Sequence, residues 1–283
     1  MRPHFILIAA FCLIAFAGEL KSEKKLPVLK LAWVSDSLFK TPESVLWDAK
    51  NKVIYVSNLN LNPRIKDGNG SIGKINSKGE IINAHWVTGL SSPKGMTLID
   101  NLLWVADVDE LVCININSGK IIKKIVVPNA KMLNDVTSDN KGVIYFSDTD
   151  GNAVYRLKND SITLITNQGL SAPNGLLYDS GKLLLASAGS TDFSEINMTT
   201  GVKTLITKGI NKGDGIAKIN KNEYIVSDWF GELFYIGPDG SRHSLIKTSD
   251  QKINTADIDY VASEKLLVVP TFFHNRIMAY KLE

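Results

Sequence analysis

Cysteine is nearly missing from this chain, with Cys12 and Cys113 the two copies in 283 residues. Cys12 lies in an N-terminal apolar run, so one thiol is left for any folded body, and an internal disulfide framework is excluded. Cys113 stands inside the apolar stretch 111–116 and reads as a small buried hydrophobe rather than a nucleophile. Histidine is scarce too, at four copies, and neither Cys nor His falls at the six repeated positions described below. A thiolate- or imidazole-rich zinc site therefore has no support. No charge of one sign dominates: the net charge is +3, and the lysines are scattered through polar turns rather than gathered in a stripe, so nucleic acid is not an expected partner. Past the N-terminus no apolar run is long enough to span a bilayer. No stretch keeps a 3.6-residue period either, which leaves little room for long helices.

What is present begins with a leader. Arg2 precedes the apolar run from Phe5 to Ala17, which ends in Ala15-Phe16-Ala17. A basic start, a short apolar stretch and a small-x-small ending predict a signal peptide over 1–17, cut near Ala17, and hence a secreted or periplasmic protein. Phe11 before Cys12 is too large for a lipoprotein signal. Residues 18–27 read as a linker, and 28–283 as a single domain.

That domain is repetitive. One short pattern returns six times, as PESVLWD, PKGMTLID, LNDVTSD, PNGLLYD, GDGIAKI and TADIDYV. Its second residue is Glu43, Lys94, Asn134, Asn174, Asp214 and Ala256, in steps of 51, 40, 40, 40 and 42 residues. A period near forty marks stacked or radial units. Each unit then shows a β-branched run, often closed by Ser-Asp: 53–58, 102–107, 143–148, 183–188, 223–228 and 266–271. A third run follows in every unit, and a fourth in the first five, where short apolar segments between Gly, Asn and Asp clusters predict strands. The sixth unit lacks its fourth strand, but 30–35 (KLAWVS) is unassigned and can supply it. The fold class expected is all-β: a six-bladed β-propeller of four-stranded antiparallel sheets, its ring closed by the N-terminal strand. An open sandwich would explain the strands but not the period.

In such a ring the pattern lies at the start of each innermost strand, and its second residues should meet at the channel mouth. Two carboxylates (Glu43, Asp214) and two amides (Asn134, Asn174) are hard oxygen donors suited to Ca²⁺, or to Mg²⁺ or Mn²⁺. Taken singly, Asn and Asp before a strand are ordinary turn residues. Their shared phase in the repeat is what argues for a site. Lys94 is the odd member. It could salt-bridge Asp135 or Asp214 in place of a cation, or stand above one and meet substrate.

In order and phase, Glu43 in PESVLWD, Asn134-Asp135 in LNDVTSD, Asn174 in PNGLLYD and Asp214 in GDGIA resemble the regucalcin/gluconolactonase family of six-bladed calcium-binding propellers, over roughly residues 40–283. The resemblance implies that Glu43, Asn174 and Asp214 are metal ligands. It also implies that Asn134 contacts substrate or water and that Asp214 serves as base. Two departures stand out. Met132 occupies the place where gluconolactonase-type members often carry an arginine, and Lys94 replaces the histidine of the related paraoxonase-like lactonases.

The expected chemistry is hydrolysis of a lactone or related ester, with a cation polarising the carbonyl and Asp214, Asn134 and Lys94 as catalytic residues. Lys94 would be a second proton-transfer group if a nearby cation lowers its pKa. Asn134, Trp229, Phe272 and His274 are the expected substrate contacts, since loops after the second strands should rim the mouth and these are largely aromatic. Such a rim suits an acyl or aryl lactone. The alternative is a non-enzymatic binding propeller braced by a structural cation. The stretch 68–75 (GNGSIGKI) imitates a phosphate loop, but Ile75 stands where a hydroxyl is needed and no helix is expected after it.

Overall fold

The computed structural model describes residues 25–283. The expected leader 1–17 and most of the linker 18–27 lie outside the described residues. Secondary structure is almost all strand, with three short 3₁₀ turns among the described residues. Twenty-four strands make six antiparallel four-stranded sheets, each a blade of a six-bladed β-propeller.

The first strand, β1 (Leu29–Val34), stands apart from the blades that follow it in sequence. Blade one runs β2 (Pro42–Asp48), β3 (Val53–Asn58), β4 (Gly70–Ile75) and β5 (Ile81–Leu90). Blade two is β6 (Pro93–Ile99), β7 (Leu102–Asp107), β8 (Glu110–Asn115) and β9 (Lys120–Val126). Blade three is β10 (Leu133–Ser138), β11 (Ile144–Asp148), β12 (Ala153–Lys158) and β13 (Ser161–Thr166). Blade four is β14 (Pro173–Asp179), β15 (Lys182–Ser187), β16 (Asp192–Ile196) and β17 (Lys203–Lys208). Blade five is β18 (Gly213–Asn220), β19 (Glu223–Asp228), β20 (Glu232–Ile236) and β21 (Arg242–Lys247). Blade six is β22 (Asp259–Val261), β23 (Leu266–Pro270) and β24 (Ile277–Leu282), completed by β1 beside β24. Leu29 pairs with Leu282 and Val34 with Met278, so the N-terminal strand closes the ring as expected.

The apolar core lies between blade faces. Val45, Ile54 and Val56 of blade one meet Val261, Leu266 and Val268 of blade six. Similar clusters join blades one to two, two to three, three to four, four to five and five to six. Every blade thus buries both faces, which explains the near-continuous apolar runs of the second strands.

Two local devices set the inner strands. In blades one to five the ladder between first and second strands slips at the repeated pattern, between Pro42/Ser44, Pro93/Met96, Leu133/Val136, Pro173/Leu176 and Gly213/Ile216. A slip of this kind frees residues from the ladder and re-aims their side chains. The serine near the end of the second strand takes up a freed amide: Ser57 Oγ accepts from Ser44 N at 2.9 Å, Ser147 Oγ from Asp135 N at 3.0 Å, and Ser227 Oγ from Gly215 N at 2.8 Å. The aspartate after it holds the segment entering the blade. Asp107 accepts from the amides of Ser91 and Ser92, and Asp148 from those of Lys131, Met132 and Gly151. The recurrent Ser-Asp is therefore structural.

Blade six departs from the pattern. Its inner strand shrinks to Asp259–Val261, leaving Ala256 and Asp257 ahead of it. They are held instead by Ala256 N to Pro270 O, Asp257 N to Glu43 O, and a parallel bridge between Ser44 and Asp257.

Candidate functional site at the channel mouth

The re-aimed residues converge. Glu43, Lys94, Asn134, Asn174 and Asp214, one from each of blades one to five, line one cavity of about 300 Å³. All five are buried. The sixth position, Ala256, is also buried and packs with Leu59, Phe272 and Trp229 beside it. Glycines follow the site residue in blades two, four and five because the inner strands nearly touch. A β-carbon on Gly175 would fall on the carbonyl oxygen of Asp214, and one on Gly215 would collide with the backbone of Ile258.

Three oxygens define the floor. Asn174 Nδ2 donates to Asp214 Oδ1 at 3.0 Å, which fixes the orientation of the Asn174 amide. Asn174 Oδ1 and Glu43 Oε2 are then buried acceptors with no protein partner. A buried acceptor without a donor is unfavourable by about 1–3 kcal/mol. The Glu43 and Asp214 carboxyls are pushed well above the usual carboxylate range, first by burial and then by neighbouring carboxylates: Asp214 and Asp257 raise Glu43, and Asp257 raises Asp214. Asp135, beneath the floor, is raised to about 7 by burial, although the amides of Leu176 and Val136 oppose this by donating to it. Among the described residues no three Asp, Glu, His or Cys side chains form a metal cluster by themselves. The donor set here is two carboxylates plus an amide oxygen. Two orphaned acceptors, Glu43 Oε2 and Asn174 Oδ1, in one cavity with the Asp214 carboxyl are the oxygen types that a hard divalent cation takes.

Lys94 is neither in a salt bridge with Asp135 nor with Asp214. Its Nζ donates to Pro63 O at 3.0 Å, Ser92 O at 3.0 Å and Ser92 Oγ at 3.3 Å, using all three N–H groups on the wall. Burial lowers its pKa to about 8, against the pull of Glu43 and Asp107. Asn134 Nδ2 donates to Thr149 Oγ1 at 3.1 Å, and that hydroxyl donates to Pro173 O at 2.8 Å.

Trp229 and Phe272 reach the cavity. They form an edge-to-face pair 5.5 Å apart, extended by the exposed rings of Phe230 and Phe273. His274 does not reach it. It ends an exposed 3₁₀ turn with its amide donating to Thr271 O and its carbonyl accepting from Ser37 Oγ. The backbone of this turn has a left-handed residue at Phe272, with φ of 50°.

Sequence reasoning missed Thr149, Asp150 and Lys212 as lining residues. Lys212 Nζ lies over the Trp229 ring at 4.5 Å. Arg64, from the long loop of blade one, meets Asp150 of blade three in a two-pronged pair, Nε to Oδ2 at 2.6 Å and Nη2 to Oδ1 at 3.0 Å. Lys212 stands two residues before Asp214 and could have been noticed from the repeat phase. Asp150 carried no such signal.

No family model matches this sequence, and no curated protein does. Solved structures do match in fold. A streptogramin B lyase covers 91% of this chain and 98% of its own at 15% identity and a TM-score of 0.64. A protein of unknown function from Bacteroides thetaiotaomicron covers 91% of this chain and 77% of its own at 14% identity and a TM-score of 0.69. A structure of the nidogen/laminin complex matches at 16% identity and a TM-score of 0.65, covering 78% of this chain and 84% of the other. At these identities the likeness is one of fold alone.

Proposed function

We propose that this protein is a divalent-cation-dependent hydrolase, calcium being the favoured ion, that acts on lactones or related esters at the channel mouth. The single observation that carries the reading is the pair of unpartnered acceptors, Glu43 Oε2 and Asn174 Oδ1, in one cavity with Asp214. On this reading Glu43, Asn174 and Asp214 hold the ion. A bound cation would polarise a substrate carbonyl and balance the charge that develops on its oxygen.

The chain's own groups would do the rest. Asp214, fixed by Asn174, orients a water and takes its proton. Asn134, its amide pinned by Thr149, contacts the substrate or that water. Lys94, whose pKa burial lowers to about 8, would return a proton to the leaving oxygen on giving up one of its contacts at Pro63 or Ser92. Trp229 and Phe272 hold the apolar part of the substrate. A place in or near the regucalcin/gluconolactonase family is supported by the six-bladed ring together with the order of Glu43, Asn134, Asn174 and Asp214. Export to a secreted or periplasmic location rests on Arg2 and the apolar run after it.

A second reading is a binding propeller in which the cation only braces the channel. The exposed Phe230 and Phe273 favour it. Metal analysis and a panel of lactones and aryl esters, with and without chelator and with Asp214→Ala, separate the two. Hydrolysis that chelation and Asp214→Ala both abolish supports the enzyme. A cation that shifts only the melting temperature, with no turnover on any substrate, supports the binder. Wild-type protein that takes up no divalent ion overturns both.

A further inference from the structure

The lining of the cavity is balanced in charge before any ion is added. Glu43, Asp150 and Asp214 face Arg64, Lys94 and Lys212. A divalent cation held by Glu43 and Asp214 therefore leaves the lining with a surplus of positive charge, and the natural complement is an anion.

Arg64 is the cation placed to receive it. A guanidinium has five N–H donors in a rigid fork. Two of the Arg64 donors, on Nε and Nη2, are used by Asp150. The second Nη2 donor and both on Nη1 have no protein partner among the described residues, and the side chain lines the cavity. Asp150 thus orients the fork without consuming it, which lowers the ordering entropy that binding would otherwise lose. The other two cations are engaged differently. Lys94 spends its three donors on the wall, and Lys212 lies over the Trp229 ring.

We infer that Arg64 is a carboxylate receptor, and that the ligand of this cavity is an anionic molecule carrying a carboxylate for Arg64 and an apolar or aromatic group for the Trp229–Phe272 corner. This names the substrate class within the proposed site: a lactone or ester bearing a free carboxylate. It rests on the cavity being a ligand site, and Asp150 is a positioning residue for it.

The test is calorimetric and needs no turnover. 3-Phenylpropanoate and its neutral primary amide are titrated into the protein, calcium-loaded and cation-free, with calcium uptake measured first. The carboxylate is expected to bind about tenfold more tightly than the amide, as one charge-assisted fork contact predicts. Arg64→Gln should reduce that preference to about threefold or less, and Asp150→Asn should weaken it in part. Lys212→Gln should retain it, and each variant's melting temperature reports its folding. Equal affinity for the two probes, no binding of either, a preference surviving Arg64→Gln, or one lost equally in Lys212→Gln overturns the inference. Failure to take up any divalent ion counts against both cation readings above and not against this inference, because the Arg64 comparison is also read in the cation-free protein.

Discussion

Asn174 and Asp214 are joined across neighbouring blades by a 3.0 Å hydrogen bond from Nδ2 to Oδ1, and that bond turns the amide oxygen of Asn174 into an acceptor with no donor. The cavity floor is therefore stable only in so far as something positive or proton-bearing meets its oxygens.

Glu43→Gln removes a buried charge whose Oε2 has no partner. The cation-free variant should be more stable than the parent by about 1–3 kcal/mol. Its calcium affinity should fall on the order of 100-fold, at the upper end of what altering a metal site does. Urea melts with chelator, together with calcium titration, read the two opposite effects. A loss of stability with unchanged affinity would remove Glu43 from the ligand set.

Stability and pH are linked with a definite sign. Glu43, Asp214 and Asp257 hold carboxyls well above their ordinary range, Asp135 is raised to about 7 and Asp259 to about 6, in each case chiefly by burial. A raised folded-state value contributes stability that is complete below the unfolded pKa, about 4, and is lost as pH climbs through the raised one. The chelated protein should melt at a lower temperature near pH 8 than near pH 5. Calcium, competing with those protons, should stabilise more near pH 8, by about 2.7 kcal/mol at a hundredfold excess over its Kd. Thermal melts at both pH values, with calcium and with chelator, check the crossover.

Lys94→Met tests proton transfer. If the amine with a pKa of about 8 serves the reaction, the pH–rate profile of the parent carries an inflection there. The variant should lose that inflection and about 100-fold in kcat. An unchanged profile would assign Lys94 wholly to the wall it bonds at Pro63 and Ser92.

Asp148→Ala removes the acceptor for three amides, those of Lys131, Met132 and Gly151. The entry to blade three should lose about 2–4 kcal/mol, and Asp148→Asn about half of that. Denaturant unfolding measures both.

The architecture was legible because every blade repeats one solution to one problem. The pattern around Glu43, Asn134, Asn174 and Asp214 marks where the ladder slips, and the following Ser-Asp marks what repairs it. Where the repeat decays, so does the reading: Ala256 kept its phase, but its strand is cut to three residues, and no residue type announced that. His274 ends a three-residue 3₁₀ turn that no local pattern announced. Arg64 and Asp150, which are 86 residues apart, meet only because blades one and three both send loops over the mouth. Nothing local to either residue forecasts their contact. Lys94 was visible as the exception in the ring, whereas its partners, two of them backbone carbonyls, were not.

The pairing of β1 with β24 means that the first and the last stretches of the propeller belong to a single sheet. Blades one to five are each built from consecutive strands, but the sixth joins β1 to strands more than 200 residues further on. Until they pair, β1 has no neighbour, and the apolar face of blade one that carries Val45, Ile54 and Val56 lacks its cover from blade six. The ring therefore closes only once β24 is in place beside β1, and a chain broken before β24 is left with an open flank at the seam.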